Sequence, residues 1–270
     1  MSNTINAAAN PALANNLLNK AMAQPEVTPA EVQIISPSDT TVILPGGYIT
    51  PAGEVVTQAE VRELNGMDEE AIAKASNIGK AILTILQRGT VRVGNERADD
   101  NMLDKLLAGD RDALILGIFK ATFGREVDMA TLCSGCSEFK TIKVNLDTDI
   151  KVKILTDPLN DRVFKVRGRK HEFTVQLPTG ITQKELILNA EKTSAELNTL
   201  LLENTVLEIN GSPVLSKLQV QSLGVVDRRT LSEEINKRLP GPQFEDVKVT
   251  CPDCDGEVSV SVNFGTLFRL

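Results

Sequence analysis

Four cysteines constrain this chain more than any other feature. They occur as two Cys-x-x-Cys pairs, Cys133/Cys136 within TLCSGC and Cys251/Cys254 within TCPDC, separated by residues 137–250. Two residues between thiols is the spacing of a redox couple, of a local disulfide, or of half a tetrathiolate metal site. Each choice imposes a different fold around the sulfurs. A redox pair sits at a helix N-terminus, where the helix dipole lowers the thiol pKa. Here both pairs lie between strand-like runs, Val127–Leu132 and Thr141–Leu146 around the first, with no helix signal after Cys136 or Cys254.

Between strands, a Cys-x-x-Cys turn is a zinc knuckle, in which backbone N–H groups point at the sulfurs. Gly135 and Asp255-Gly256 supply backbone freedom for such turns, whereas Ser137-Glu138 gives the first pair no glycine after its second cysteine. The sequence therefore points to one structural zinc per chain, held by Cys133, Cys136, Cys251 and Cys254. Four thiolates fill a tetrahedral shell and leave no open position for water or substrate. Two local disulfides, inert thiols and an iron–sulfur centre are the alternatives. A reduced, cytosolic setting disfavours the disulfides.

The rest of the chain reads as α+β. Residues 1–38, rich in Ala, Asn, Ser and Pro, read as a flexible N-terminal arm with one amphipathic stretch from Leu13 to Met22. A strand is expected at Thr41–Leu44, a turn at Pro45-Gly46-Gly47, and a helix from Thr57, where Thr57-Gln58-Ala59-Glu60 fits a capping box. A further helix is expected from Asp68, burying Ile78, Ile82 and Ile85, and another from Asp110, burying Leu114, Ile115, Ile118 and Phe119. A hairpin over Val163–Val175 turns at Arg167-Gly168-Arg169.

Several blocks recur in the same order, the mark of an internal repeat. Thr41–Gly47 pairs with Thr174–Gly180, Thr57–Val61 with Thr182–Leu186, and Asp110–Leu114 with Asp227–Leu231. Beyond the cysteines, Ile142, Val144, Asn145 and Leu146 align with Val260, Val262, Asn263 and Phe264. The reading is two degenerate repeats, each a strand and turn, helices, then a hairpin carrying Cys-x-x-Cys. They span 39–147 and 171–270, with 148–170 as connector, and a shared zinc-ribbon-like site of four cysteines joins them.

Other chemistry is sparse. His171 is the only histidine and reads as a solvated strand residue; Lys165, Arg167, Arg169 and Lys170 read as a solvated hairpin tip. Asp110 and Asp227, each followed by Arg, read as N-caps of apolar-periodic helices. No phosphate loop, nucleophile elbow or His-Glu-x-x-His helix is present, so no catalytic residue is expected. A net charge of −7 and 3% aromatic residues weigh against nucleic-acid binding, the alternative function for a zinc-ribbon chain. No apolar run is long enough to span a membrane, and no signal peptide opens the sequence.

The order of features, an LP-G segment, Arg62–Glu69, Gly109–Leu114, Cys-x-x-Cys, a second LP-G at Leu177–Gly180 and a closing Cys-Pro-x-Cys, resembles the baseplate proteins of contractile-tailed phages. It is similar in particular to the baseplate hub assembly proteins of T-even phages, over about residues 40–266. The resemblance implies a non-enzymatic protein that builds or sits within the tail baseplate and contacts other tail proteins, with the arm as one route. It also implies residence in the host cytoplasm during assembly and in the virion if the chain is retained.

Overall fold

The computed structural model describes residues 40–245 and 247–270. The arm expected over 1–38, with its amphipathic stretch, lies outside the described residues. The described chain is α+β, as expected, with several small antiparallel sheets and short helices. No described helix is long and apolar enough to cross a membrane.

The first half opens with β1 (Thr41–Ile49) and β2 (Val55–Val61), followed by α1 (Gly66–Ala73) and α2 (Ile78–Gly89). Then come β3 (Thr90–Val93), β4 (Glu96–Arg97), α3 (Asp100–Lys105) and α4 (Ala108–Phe123). Strands β1 to β4 form one sheet in sequence order. A hairpin, β5 (Glu126–Cys133) and β6 (Glu138–Asn145), closes this half, and β7 (Lys151–Lys153) leads out of it.

The second half contains β8 (Val163–Arg167), β9 (Glu172–Gln176), α5 (Gly180–Leu188), α6 (Ser194–Thr205), β10 (Val206–Ile209) and β11 (Ser212–Pro213). Next are α7 (Lys217–Gln221), α8 (Val225–Arg238) and β12 (Gly241–Gln243), the last paired with β7. Strands β8 to β11 again pair in sequence order. The hairpin β13 (Lys248–Thr250) and β14 (Glu257–Ser259) and the short α9 (Phe264–Phe268) end the chain. Because β8 is an edge strand of the second sheet, that sheet begins at Val163, inside the stretch expected to be connector.

Three sequence expectations are corrected here. Thr57–Glu60 lies in β2, not at a helix start: Ala59 and Val61 are buried while Gln58 and Glu60 are exposed, a period of two. The helix begins instead at Gly66, capped by Asn65 in a box with Asp68. Pro45-Gly46-Gly47 is not the hairpin turn either. It is a wide bulge inside β1, where the pairing with β2 jumps from Ile43↔Gln58 to Tyr48↔Val56. The reversal comes later, over Thr50–Glu54. Ile78, expected in the core, opens α2 and is exposed, while Ile85 is fully buried.

The repeat blocks shift accordingly. Thr41–Gly47 is a first strand and Thr174–Gln176 belongs to a second, while Thr57–Val61 is strand and Thr182–Leu186 is helix. The pairing of Asp110–Leu114 with Asp227–Leu231 does match, since each occupies the start of the last long helix of its half.

Helix α4 joins two of the cores. Leu114, Ile115 and Ile118 pack with Leu44, Val61, Ile85 and Leu86 under the first sheet. Leu116 and Phe119, on its other side, pack with Val144, Val260 and Val262 beneath the two cysteine hairpins. The expected stripe of Leu114, Ile115, Ile118 and Phe119 is thus buried, but the helix is apolar on more than one face. The second sheet has its own core around Phe173, Val175, Leu202, Leu231 and Ile235.

Candidate metal centre

The sulfurs are positioned by two hairpins of unequal length. In the first, β5 and β6 pair residue by residue from Glu126↔Asn145 to Cys133↔Glu138. Alternation sets which face is buried: Val127, Met129 and Thr131 turn inward with Ile142 and Val144, while Asp128, Leu132, Phe139 and Lys143 face out. Cys133 ends the inward row. The second hairpin pairs only Lys248↔Ser259, Val249↔Val258 and Thr250↔Glu257, and Cys251 follows at once.

Both turns take the same path. Ser137 N–H donates to the Cys133 carbonyl at 2.8 Å, and Asp255 N–H donates to the Cys251 carbonyl at 3.0 Å. The residue after each second cysteine is left-handed, Ser137 at φ 57° and Asp255 at φ 54°. The missing glycine after Cys136 therefore does not set the first turn apart. Gly135 contributes differently from the freedom expected of it. A Cβ there would lie 2.9 Å from Cys254 Sγ and 3.6 Å from Cys133 Sγ, so the glycine admits the sulfurs.

The structure brings all four predicted cysteines together. Their Sγ atoms lie within 4.8 Å of one another, with Cys133 to Cys254 at 3.6 Å and Cys136 to Cys251 at 3.9 Å. A disulfide needs sulfurs about 2.05 Å apart, so these are four free thiols. These two pairs each cross between hairpins. Cys133 and Cys251 are buried among Ile142 and Val258, whereas Cys254 is exposed.

Electrostatics at the cluster favour at least one thiolate. The Cys136 backbone N–H, aided by that of Gly135, lowers the Cys133 thiol to about 6. Burial, then the neighbouring thiols, push Cys136 up to about 12. Adjacent sulfurs cannot all ionise unaided; a cation among them removes that conflict. The arrangement is one that can hold a metal ion.

Lys140 braces the cluster, a role that sequence reading missed. Its ammonium reaches from β6 to Asp253 in the other turn and to Glu138 at 3.0 Å. Those carboxylates raise its pKa, Asp253 foremost. No local pattern pairs a lysine with a carboxylate in a distant hairpin, so only the fold reveals the link.

The remaining candidates lie elsewhere. The Nδ1 of His171 is 2.9 Å from the Asn210 side-chain amide, and the histidine is not among the clustered ligand atoms. Lys165, Arg167, Arg169 and Lys170 are exposed on β8 and its turn, as expected. Asp110 and Asp227 are not N-caps: Leu107 and Gly224 hold those positions without side-chain bonds. Both carboxylates instead reach back to a chain reversal or bulge. Asp110 accepts from Gly46 N–H at 2.6 Å, and Asp227 accepts from Arg169 N–H at 2.5 Å. Burial pushes Asp110 up to about 6.

A family model described as T4 bacteriophage base plate protein matches residues 55–212. The chain belongs to the T4 bacteriophage base plate protein family. The match runs from β2 to β11, a shorter span than the resemblance read from sequence. It includes Cys133 and Cys136 but ends before Cys251 and Cys254, so family membership does not carry the second half of the centre. No curated protein and no solved structure matches the chain. Membership in a base plate family gives this chain a structural role in the phage tail, alongside other tail proteins.

Proposed function

We propose that this protein is a non-enzymatic structural or assembly component of the baseplate hub, built from two related units clasped by one structural zinc. The observation that carries the clasp is the meeting of four sulfurs from two separate hairpins. A Zn–S bond of about 2.3 Å gives a tetrahedron whose edges are about 3.8 Å. The Cys133–Cys254 and Cys136–Cys251 separations of 3.6 and 3.9 Å bracket that edge. Cys133, Cys136, Cys251 and Cys254 would be the ligands, the zinc-ribbon-like arrangement expected from their spacing.

Duplication is supported by the order of elements, two strands, two helices, two strands and two helices, in each half. Both sheets carry an irregularity at the same place, between Glu60 and Val61 and between Val206 and Glu208. Matching core positions are filled alike, with Leu86 and Leu202, Leu114 and Leu231, and Ile118 and Ile235 all buried. We place the units at 39–147 and 163–270, moving the second start to its first strand. Residues 1–38 are proposed as an arm that contacts other tail proteins, during assembly in the host cytoplasm and in the virion.

Metal analysis of the purified protein should find one zinc per chain. Cys251→Ser should lose both the metal and cooperative unfolding; cooperative folding without bound metal would remove the clasp. Deleting residues 1–30 should reduce capture of tail proteins in a pull-down while leaving the melting curve intact.

A further inference from the structure

The two halves meet through a contact that uses different surfaces on its two sides. Leu106–Ala108, leading into α4, lies against Pro178–Gly180, leading into α5. Ala108 N–H donates to the Pro178 carbonyl at 2.9 Å, and Gly180 N–H donates to the Leu106 carbonyl at 2.8 Å. Around this backbone pair, Lys184 meets Asp104 at 3.0 Å and Gln183 donates to Asp112 at 3.1 Å. The approach is so close that a Cβ on Gly180 would lie 2.5 Å from the Leu103 carbonyl oxygen. A contact between unlike surfaces leaves one complementary surface unused on each unit.

The correspondence of elements locates both unused surfaces. Leu223–Val225, leading into α8, stands where Leu106–Ala108 does in the first half. Leu64–Gly66, leading into α1, stands where Pro178–Gly180 does in the second. Among the described residues, the Val225 and Gly66 N–H groups and the Leu223 and Leu64 carbonyls have no hydrogen-bond partner. Nothing lies within 4 Å of a Cβ on Gly66, in contrast to its crowded counterpart Gly180. Val225 is 74% exposed, whereas its counterpart Ala108 is 7% exposed.

Charge is complementary as well. The position of Asp112 is taken by Arg229 in the second half, and that of Gln183 by Glu69 in the first; both are exposed. Docked as the inner pair is docked, Arg229 and Glu69 would face each other with opposite sign.

We infer that the protein associates head to tail with a second copy of itself. Leu223–Val225 of one copy docks on Leu64–Gly66 of the next, repeating the contact already made inside the chain. The inference rests on the duplication proposed above. Because donor and acceptor surfaces differ, each added copy presents a fresh surface, and the assembly either closes into a ring or extends.

Sedimentation velocity on the full-length protein as purified, with no chelator and no added metal, tests this. The mass should rise above that of one chain as concentration increases. Val225→Asp and Arg229→Glu should each return it to a single chain. Aspartate in the first turn suits the positive end of the α8 dipole, so the first variant should stay folded. Glu69→Arg should also be a single chain, and mixing it with Arg229→Glu should restore association, because every junction then joins opposite charges. A wild-type chain that stays single at all concentrations overturns the inference, even if it binds another tail protein through Arg229. Association that neither Val225→Asp nor Arg229→Glu weakens overturns it equally. Zinc content measured on the same samples separates the two readings: a zinc-free assembly removes the clasp alone, and a zinc-loaded single chain removes self-association alone.

Discussion

The two cysteine hairpins reach one turn geometry by different means. The first rests on strands of eight residues each, the second on strands of three. The first uses Ser-Gly between its cysteines and the second Pro-Asp, yet both close with the same backbone bond and a left-handed residue. A short hairpin is marginal by itself. The long ladder therefore holds its sulfurs by itself, while the short one would depend on the proposed zinc. The asymmetry makes the second hairpin the responsive side of the centre.

Stripping the proposed zinc should expose this difference most strongly. Structural zinc supplies about 10–16 kcal/mol of apparent binding energy to small sites. With a strong chelator, amide exchange should accelerate far more in Lys248–Ser259 than in Glu126–Asn145. Equal loss of protection in both would break the comparison.

A second effect centres on the buried Asp110. Asp110 is fully buried, and its folded pKa of about 6 lies above the ordinary carboxyl value. A carboxyl raised in the folded state favours folding below its unfolded pKa, and that contribution is lost as pH rises through the folded value. The difference between the unfolded and folded values corresponds to about 3 kcal/mol, so stability should fall between roughly pH 4 and 6 for this reason. Asp110→Asn should flatten that slope in pH-dependent denaturant melts, and an unchanged slope would assign it to other groups.

Smaller changes probe the turns directly. Gly135→Ala places a methyl group against Cys254 Sγ and should weaken metal binding by about 10–100-fold, the range for neighbours of a metal shell. Competition with a colorimetric zinc chelator would measure it. Ser137→Gly should act in the opposite sense. Relieving the left-handed serine should stabilise the protein by about 0.5–1 kcal/mol in a chemical melt, and Asp255→Gly should match it if the two turns are alike.

The strands of the first cysteine hairpin and the buried stripe of α4 were legible because side-chain alternation and helical spacing are local. The start of β2 was not. Thr57-Gln58-Ala59-Glu60 satisfies a capping box, but the same residues alternate, and burial of Ala59 and Val61 under α4 decided for strand. Pro45-Gly46-Gly47 carries a turn signal for the same local reason. What makes it a bulge is distant: Asp110 accepts from Gly46 N–H, and the Arg162 guanidinium donates to the Gly46 and Gly47 carbonyls. Blocks read from the sequence as an internal repeat fall in different elements, because short motifs such as LP-G occur in a strand in one place and before a helix in another.

By itself the sequence picked out the four thiols that the fold brings together. Paired thiols between strands have few stable uses, and that chemistry depends on spacing alone. It also determined an α+β chain with an aliphatic core, since apolar periodicity and the lack of aromatics are carried residue by residue. Only the tertiary structure decided that sulfurs from the two hairpins interleave, that Gly135 is needed for sulfur access, and that Lys140 joins the two turns. It also decided which surfaces are used between the halves and which stay open. Those outcomes depend on contacts between residues far apart in the chain, and no local pattern encodes a distance that folding creates.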